Sequence, residues 1–179
     1  MKEKTGKLIV ISAPSGTGKT TVVKRLLEKI PNIIASVSFT TRPMRENERE
    51  GIDYFFVDKR KFETMVDKHQ FIEHATVFGN YYGTQKESLS NNLKKGKNVI
   101  LEIDWQGAQQ VKEKMPSCIM IFLIPPSKKV LLSRLKNRGT DSEGEIENRF
   151  NQAVSDLNES NKFDHVLVND QIEVAVENI

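Results

Sequence analysis

One cysteine, Cys118, stands among 179 residues, and a lone thiol cannot close a disulfide within the chain. Nothing therefore points to the stapled folds of secreted proteins, and the apolar run Cys118-Ile-Met-Ile-Phe-Leu-Ile124 reads the thiol as a buried structural group. Long apolar runs are also lacking. Near the N-terminus, Leu8–Ile11 follows the charged Lys2, Glu3 and Lys4 and is too short for a secretory leader or a membrane span. A cytoplasmic protein with no membrane partner is expected. Charge of one sign is scarce: 27 Lys and Arg against 24 Asp and Glu leave +3, not the strongly basic face of a duplex binder, so no nucleic-acid partner is expected. His69, His74 and His165 are scattered without metal-ligand spacing, and no Ser-His-Asp or Cys-His grouping is visible.

What is present suits one globular domain, with 37% hydrophobic and 28% charged residues and no internal repeat. The β-branched run Leu8–Ile11 predicts a buried strand. The spacing of Val22, Val23, Leu26, Leu27 and Ile30 predicts a helix from Thr20 to Lys29, ended by Pro31. Residues 33–83 differ. They hold nine of the thirteen aromatics, and β-like segments at Ala35–Phe39 and Tyr54–Val57 predict a small β-rich insert with its own aromatic core and a short helix over 59–68. An α/β pattern then resumes. It has a helix over 89–95 with Gly96 as C-cap, strands over 99–103 and 119–124, a helix over 128–137, a capping box at Ser142-x-x-Glu145, and a strand over 165–168. A helix just beginning is expected before Ile179. Strands alternating with helices argue for a parallel sheet.

The sharpest local signal is Ser12-Ala-Pro-Ser-Gly-Thr-Gly-Lys-Thr-Thr21, between the first strand and the first helix. It follows G-x-x-x-x-G-K-[ST], with Ala13, a small residue, at the first glycine position. The backbone of Ala13, Pro14, Ser15, Gly16, Thr17 and Gly18 would wrap around phosphate, with every residue but Pro14 offering an N–H group, and the helix opening at Lys19-Thr20-Thr21 would present its positive end. Lys19 would bring a full charge to the β- and γ-phosphates, and the Thr20 hydroxyl could ligate Mg²⁺. Asp104, ending the second buried strand, either holds the metal through water or caps a helix, and the two roles are compatible.

A phosphate loop does not name the acceptor. Arg42 and Arg45, in Ser38-Phe-Thr-Thr-Arg-Pro-Met-Arg45, are either phosphate forks or a solvated pair. Arg134 and Arg138 share a helix face, and with Arg149 they flank Gly139-Thr-Asp-Ser142. These three either close over a transferring phosphoryl group or lie on a charged solvated helix.

Several motifs together resemble the guanylate kinase family, in the family's order and over nearly the whole chain. They are the phosphate loop from Ser12, Ser-Val-Ser-Phe-Thr-Thr-Arg-Pro-Met-Arg from Ser36, Gly-Ile-Asp-Tyr-Phe-Phe-Val from Gly51 and Phe-Ile-Glu-His-Ala from Phe71. Gly-Asn-Tyr-Tyr-Gly-Thr from Gly79, Leu-Glu-Ile-Asp-Trp-Gln-Gly from Leu101 and Arg-Leu-Lys-Asn-Arg-Gly-Thr from Arg134 complete the set. The resemblance implies an α/β fold: a P-loop NTPase-type parallel sheet flanked by helices, with a β-rich GMP-binding insert and a helical lid. The core would take up residues 1–34, 97–126 and 159–179, the insert 35–96 and the lid 127–158.

It also implies γ-phosphoryl transfer from ATP to GMP, and to dGMP, with Mg²⁺, in purine nucleotide metabolism. Arg42, Arg45, Tyr54 and Tyr82 would grip the GMP phosphate. Ser38, Glu73 and Thr84 would read guanine, with Asp104 close by. Lys19, Arg42, Arg134, Arg138 and Arg149 would be catalytic, and Asn169 would lie near the ATP base. Family members continue through a longer C-terminal helix than this chain shows, and the resemblance leaves monomer and homodimer both open. An intact Gly18-Lys19-Thr20 argues against a non-catalytic binding module of the same fold.

Overall fold

The computed structural model describes residues 5–137 and 142–179. Arg138 of the expected lid lies outside them. Five parallel strands form the main sheet: β1 (Leu8–Ser12), β2 (Ile33–Ala35), β7 (Asn98–Glu102), β8 (Ile119–Ile124) and β9 (His165–Val168), in the order β2-β7-β1-β8-β9. The expected parallel sheet is present. Alternation along β1 sends Leu8 and Val10 to one face and Ile11 to the other. The first face packs on Leu89 and Leu93 of α3 (Lys86–Lys94) and on Ala108 and Val111 of α4 (Trp105–Lys114). The second packs on Val22, Val23 and Leu26 of α1 (Lys19–Lys29) and on Ala175 and Val176 of α7 (Ile172–Glu177). Each fully buried aliphatic side chain contributes about 2 kcal/mol, so the central strands are held from both faces. Cys118 is buried in this core, as expected, and burial pushes its thiol pKa up.

A second sheet, in the order β4-β3-β6-β5, contains β3 (Phe39–Thr40), β4 (Phe55–Phe56), β5 (Phe71–Val77) and β6 (Asn80–Gln85). With α2 (Lys59–Asp67) it encloses an aromatic core in which the Phe62 and Phe71 rings stack at 4.6 Å. The segment 35–39, expected as one strand, is divided: Ala35 ends β2 in the main sheet and Phe39 opens β3 in the second. Its β propensity is real, but two different sheets share it. α5 (Lys128–Lys136) and α6 (Glu143–Asp156) pack on each other through Leu131, Leu135 and Ala153. α6 opens on the expected capping box, with both reciprocal bonds between Ser142 and Glu145 formed. α4 was not foreseen as an element, because Trp105-Gln-Gly-Ala-Gln-Gln-Val-Lys-Glu-Lys114 carries too few apolar residues to show a period. Among the described residues no helix is long and apolar enough to cross a membrane.

Candidate active site

The site starts where β1 gives way to α1. α2, α4, α5 and α6 are capped by the side chains of Asp58, Asp104, Ser127 and Ser142, and α3 and α7 lack such a cap but carry Glu87 and Glu173 in their first turns, whereas α1 begins at Gly18 with neither. Its free N–H groups and positive dipole end are left for an anion. Gly18 has φ of 95°, and a Cβ there would stand 2.8 Å from Asn169 Nδ2, so both backbone shape and close packing require glycine. The loop is braced from behind. Thr17 O accepts Asn169 Nδ2 at 2.7 Å and the Arg134 guanidinium at 3.0 Å, and Arg134 also donates to Asn169 O at 3.1 Å. Arg134 thus meets backbone carbonyls of the loop region, and Asn169 is buried against the loop. The hydroxyls of Ser12 and Thr17 and the Oδ1 of Asn169 are buried without a hydrogen-bond partner in the described structure, three orphan polar atoms gathered around one loop.

Beside the loop, Lys19 Nζ donates to Ile103 O at 2.8 Å. Burial lowers its pKa, against the pull of Glu102, Asp104, Glu73 and Asp156. A polyphosphate would reverse that cost by supplying the missing counter-charge. The Thr20 hydroxyl donates to Glu102 Oε1. Sequence reasoning missed Glu102. The signal was available: in Leu101-Glu-Ile-Asp104 the two-residue period of a strand sends Glu102 and Asp104 to the same side, yet only Asp104 was considered. Asp104 does cap α4, accepting from Gly107 N at 2.9 Å, and burial raises its pKa against that bond and the Lys19 charge. The capping half of the Asp104 expectation is therefore met directly. Among the described residues no cluster of three or more His, Cys, Asp or Glu could hold a metal.

In the second sheet and its loops, Arg42, Tyr54 and Tyr82 come together. The Arg42 guanidinium lies 5.5 Å from the Tyr54 ring centroid and within hydrogen-bonding reach of Tyr82, and the two tyrosine rings meet edge-on at 5.9 Å. Arg42 also pairs with Glu48 at 2.7 Å, with both side chains mostly covered. Glu48 is a second partner that sequence reasoning missed. Burial, then the charge of Glu102, pushes the Tyr54 phenol up to about 12, so it stays a hydrogen-bond donor. Arg45 is not drawn into this group: its backbone N–H donates to Glu48 at 2.8 Å while its side chain is exposed.

The third group is a hydrogen-bonded chain. Thr84 Oγ1 donates to Glu73 Oε1 at 2.5 Å and lies 3.3 Å from Ser38 Oγ. Glu73 is 2% exposed, and burial raises its pKa to about 7, with the Thr84 bond opposing and the Asp104 charge adding. Arg149, on α6, places its guanidinium 5.3 Å from the ring of Phe78 at the β5–β6 turn, so α6 reaches the insert.

The arrangement is two cationic groups, the loop with Lys19 and the Arg42–tyrosine group, and a buried carboxylate, Glu73, whose charge reaches Lys19. Comparison with known proteins shows the family. The guanylate kinase family model matches residues 5–179. The guanylate kinase of Hydrogenovibrio crunogenus is 47% identical over 171 residues, 96% of this chain and 83% of that one, and that of Acinetobacter baylyi is 48% identical over 97% and 84%. The crystal structure of guanylate kinase from Anaplasma phagocytophilum superposes with a TM-score of 0.80 at 37% identity, covering 98% of this chain and 82% of that one. A tunicamycin resistance protein of Deinococcus radiodurans, at 16% identity and a TM-score of 0.52, shares the fold alone. An uncapped phosphate-loop helix, a tyrosine-flanked arginine and a buried glutamate thus stand in a chain that belongs to the guanylate kinase family.

Proposed function

We propose that this chain phosphorylates GMP, and dGMP, with ATP, giving GDP or dGDP and ADP, in cytoplasmic purine nucleotide metabolism. The observation that carries the reading is the Ser38–Thr84–Glu73 chain, with Thr84 and Glu73 buried and the Glu73 charge close enough to act on Lys19 of the phosphate loop. Guanine offers N1–H and an N2 amino group on one edge, and a single carboxylate accepts from both. Adenine lacks the N1–H and would leave the buried Glu73 unpaired, a costly outcome by which a site rejects a near-isostere.

The chain's own groups divide the work. The α1 N-terminus and Lys19 hold the triphosphate, and Arg42, Tyr54 and Tyr82 hold the acceptor phosphate, so that two mutually repelling anions meet in line. An oxygen of the GMP phosphate attacks the γ-phosphorus and the bond to the β–γ bridging oxygen breaks, releasing ADP. That attacking oxygen is already anionic, so no general base is required. Arg134, Arg138 and Arg149 would add charge neutralisation from the lid as the site closes against water. The donor set near Thr20 is oxygen only, a hydroxyl beside the Glu102 carboxylate with Asp104 behind, which suits a hard cation held partly by water and substrate phosphate. Mg²⁺ bound there would shield the phosphate charges.

A coupled assay with GMP, dGMP, AMP, UMP and dTMP as acceptors tests the reading. ADP formation is expected with the two guanine nucleotides, and its absence with GMP would end the proposal. The pH profile supplies a further check. Guanine needs the ionised Glu73, and its pKa in the free protein is about 7. As pH falls below that value the carboxylate protonates, so the apparent KM for GMP should rise by about tenfold per unit while KM for ATP stays nearly flat.

A further inference from the structure

The Glu73 carboxylate is buried on a strand of the insert and bonded there by Thr84, yet the backbone on either side of it is held from the main domain. The β5–β6 pairing slips at this point: Phe71 pairs with Gln85 but Glu73 pairs with Thr84, so two steps along β5 match one along β6. Such a bulge re-aims the side chains beside it and frees backbone groups from the ladder. Phe71 packs in the insert core whereas Ile72 packs in the main core, and Phe71, Ile72 and Glu73 are all buried in succession, which a regular half-exposed strand does not allow.

α4 answers this bulge with one face. Gly107, Gln110 and Lys114, spaced three and four apart, line the same side of the helix. Lys114 Nζ donates to Ile72 O at 2.5 Å, taking a carbonyl at the bulge. Gln110 acts as a strand partner to the residue after Glu73, donating to His74 O at 2.8 Å and accepting from His74 N at 3.2 Å. Gly107 leaves the space: a Cβ there would overlap Glu73 Oε2 and stand 3.1 Å from its Cδ.

We propose that Gly107 and Gln110 are positioning residues for base recognition, holding the Glu73 bulge so that its carboxylate meets the purine edge. Acceptor selectivity is thereby set by a helix of the main domain, and β5 stays docked on that helix. This rests on the reading of Glu73 as the guanine acceptor.

The test compares GMP with IMP, which keeps N1–H and lacks the N2 amino group, at saturating ATP in alkaline buffer. Gly107→Ala should raise KM for GMP by about tenfold or more, shift KM for IMP far less, and leave kcat within about threefold, so that discrimination collapses. Ala is favoured over Gly in a helix, which offsets part of the cost of the overlap with Glu73, so the melting temperature should fall by no more than a few degrees. Gly107→Ala combined with Glu73→Asp, whose shorter stem retreats from the methyl, should recover part of the GMP preference. Gln110→Ala should move discrimination in the same direction as Gly107→Ala. Equal losses for GMP and IMP, or unchanged discrimination in Gly107→Ala, would overturn the proposal. Should that variant not fold, unchanged discrimination in Gln110→Ala would do so. Glu73→Gln separates the two levels: discrimination kept there overturns the reading of Glu73 itself, whereas discrimination lost there but kept in the α4 variants overturns only their role.

Discussion

Lys19→Ala is expected to lower kcat by about three orders of magnitude, or about 4 kcal/mol of transition-state stabilisation, in the coupled assay with ATP and GMP. The α1 N-terminus offers N–H dipoles, but Lys19 is the full charge built into the loop itself, within reach of four carboxyl groups, Glu102, Asp104, Glu73 and Asp156, that would otherwise repel a polyphosphate. Its ammonium is desolvated beforehand and, among the described residues, hydrogen-bonded to one carbonyl, Ile103 O, so little must be broken when phosphate arrives. Lys19→Met keeps the stem and should be as inactive as Lys19→Ala. A loss below about tenfold in both variants would show that the phosphates are held elsewhere.

Glu73→Gln should abolish the preference for GMP, with kcat/KM for GMP falling by a factor on the order of 10³. A glutamine cannot accept from N1–H and the N2 amino group together, because its own NH₂ faces one of them. The KM for GMP should also lose its rise below pH 7, since the titrating group is gone. Stability should move the other way. An acid whose folded pKa, about 7, lies above its ordinary 4.5 binds protons more tightly when folded, so native stability falls as pH rises from the lower value through the higher. At alkaline pH the wild type carries that full cost and Glu73→Gln does not. The variant should melt several degrees higher than the wild type in alkaline buffer and about level with it in acid. A lower melting temperature at alkaline pH would mean that the carboxylate stabilises the fold instead.

Much of the molecule was legible in contiguous residues. The β-branched runs of β1, β7 and β8, the Gly18-Lys19-Thr20 turn into α1 and the Ser142–Glu145 box all form where their local chemistry says, because periodicity, caps and positive-φ glycines act within a few residues. Tyr54, Tyr82, Ser38, Glu73 and Thr84 were given roles only through resemblance, and Arg42 without it kept two open readings, since no spacing rule links residues on two strands and their connecting loops. Glu102 and Glu48 were passed over for the same reason: an acidic side chain in a charged chain carries no mark until its partner is beside it.

By itself, then, the order of residues determined most of the elements, α4 excepted, together with the phosphate loop and the α/β class, all consequences of interactions between near neighbours. Only tertiary structure decided that Asn169 braces Thr17 across 152 positions, that residues 35–39 serve two sheets, and that α4 makes room for a carboxylate in a bulge of another sheet. Those outcomes depend on packing between distant segments, where burial and the need to pair every buried polar group choose partners that no local pattern encodes.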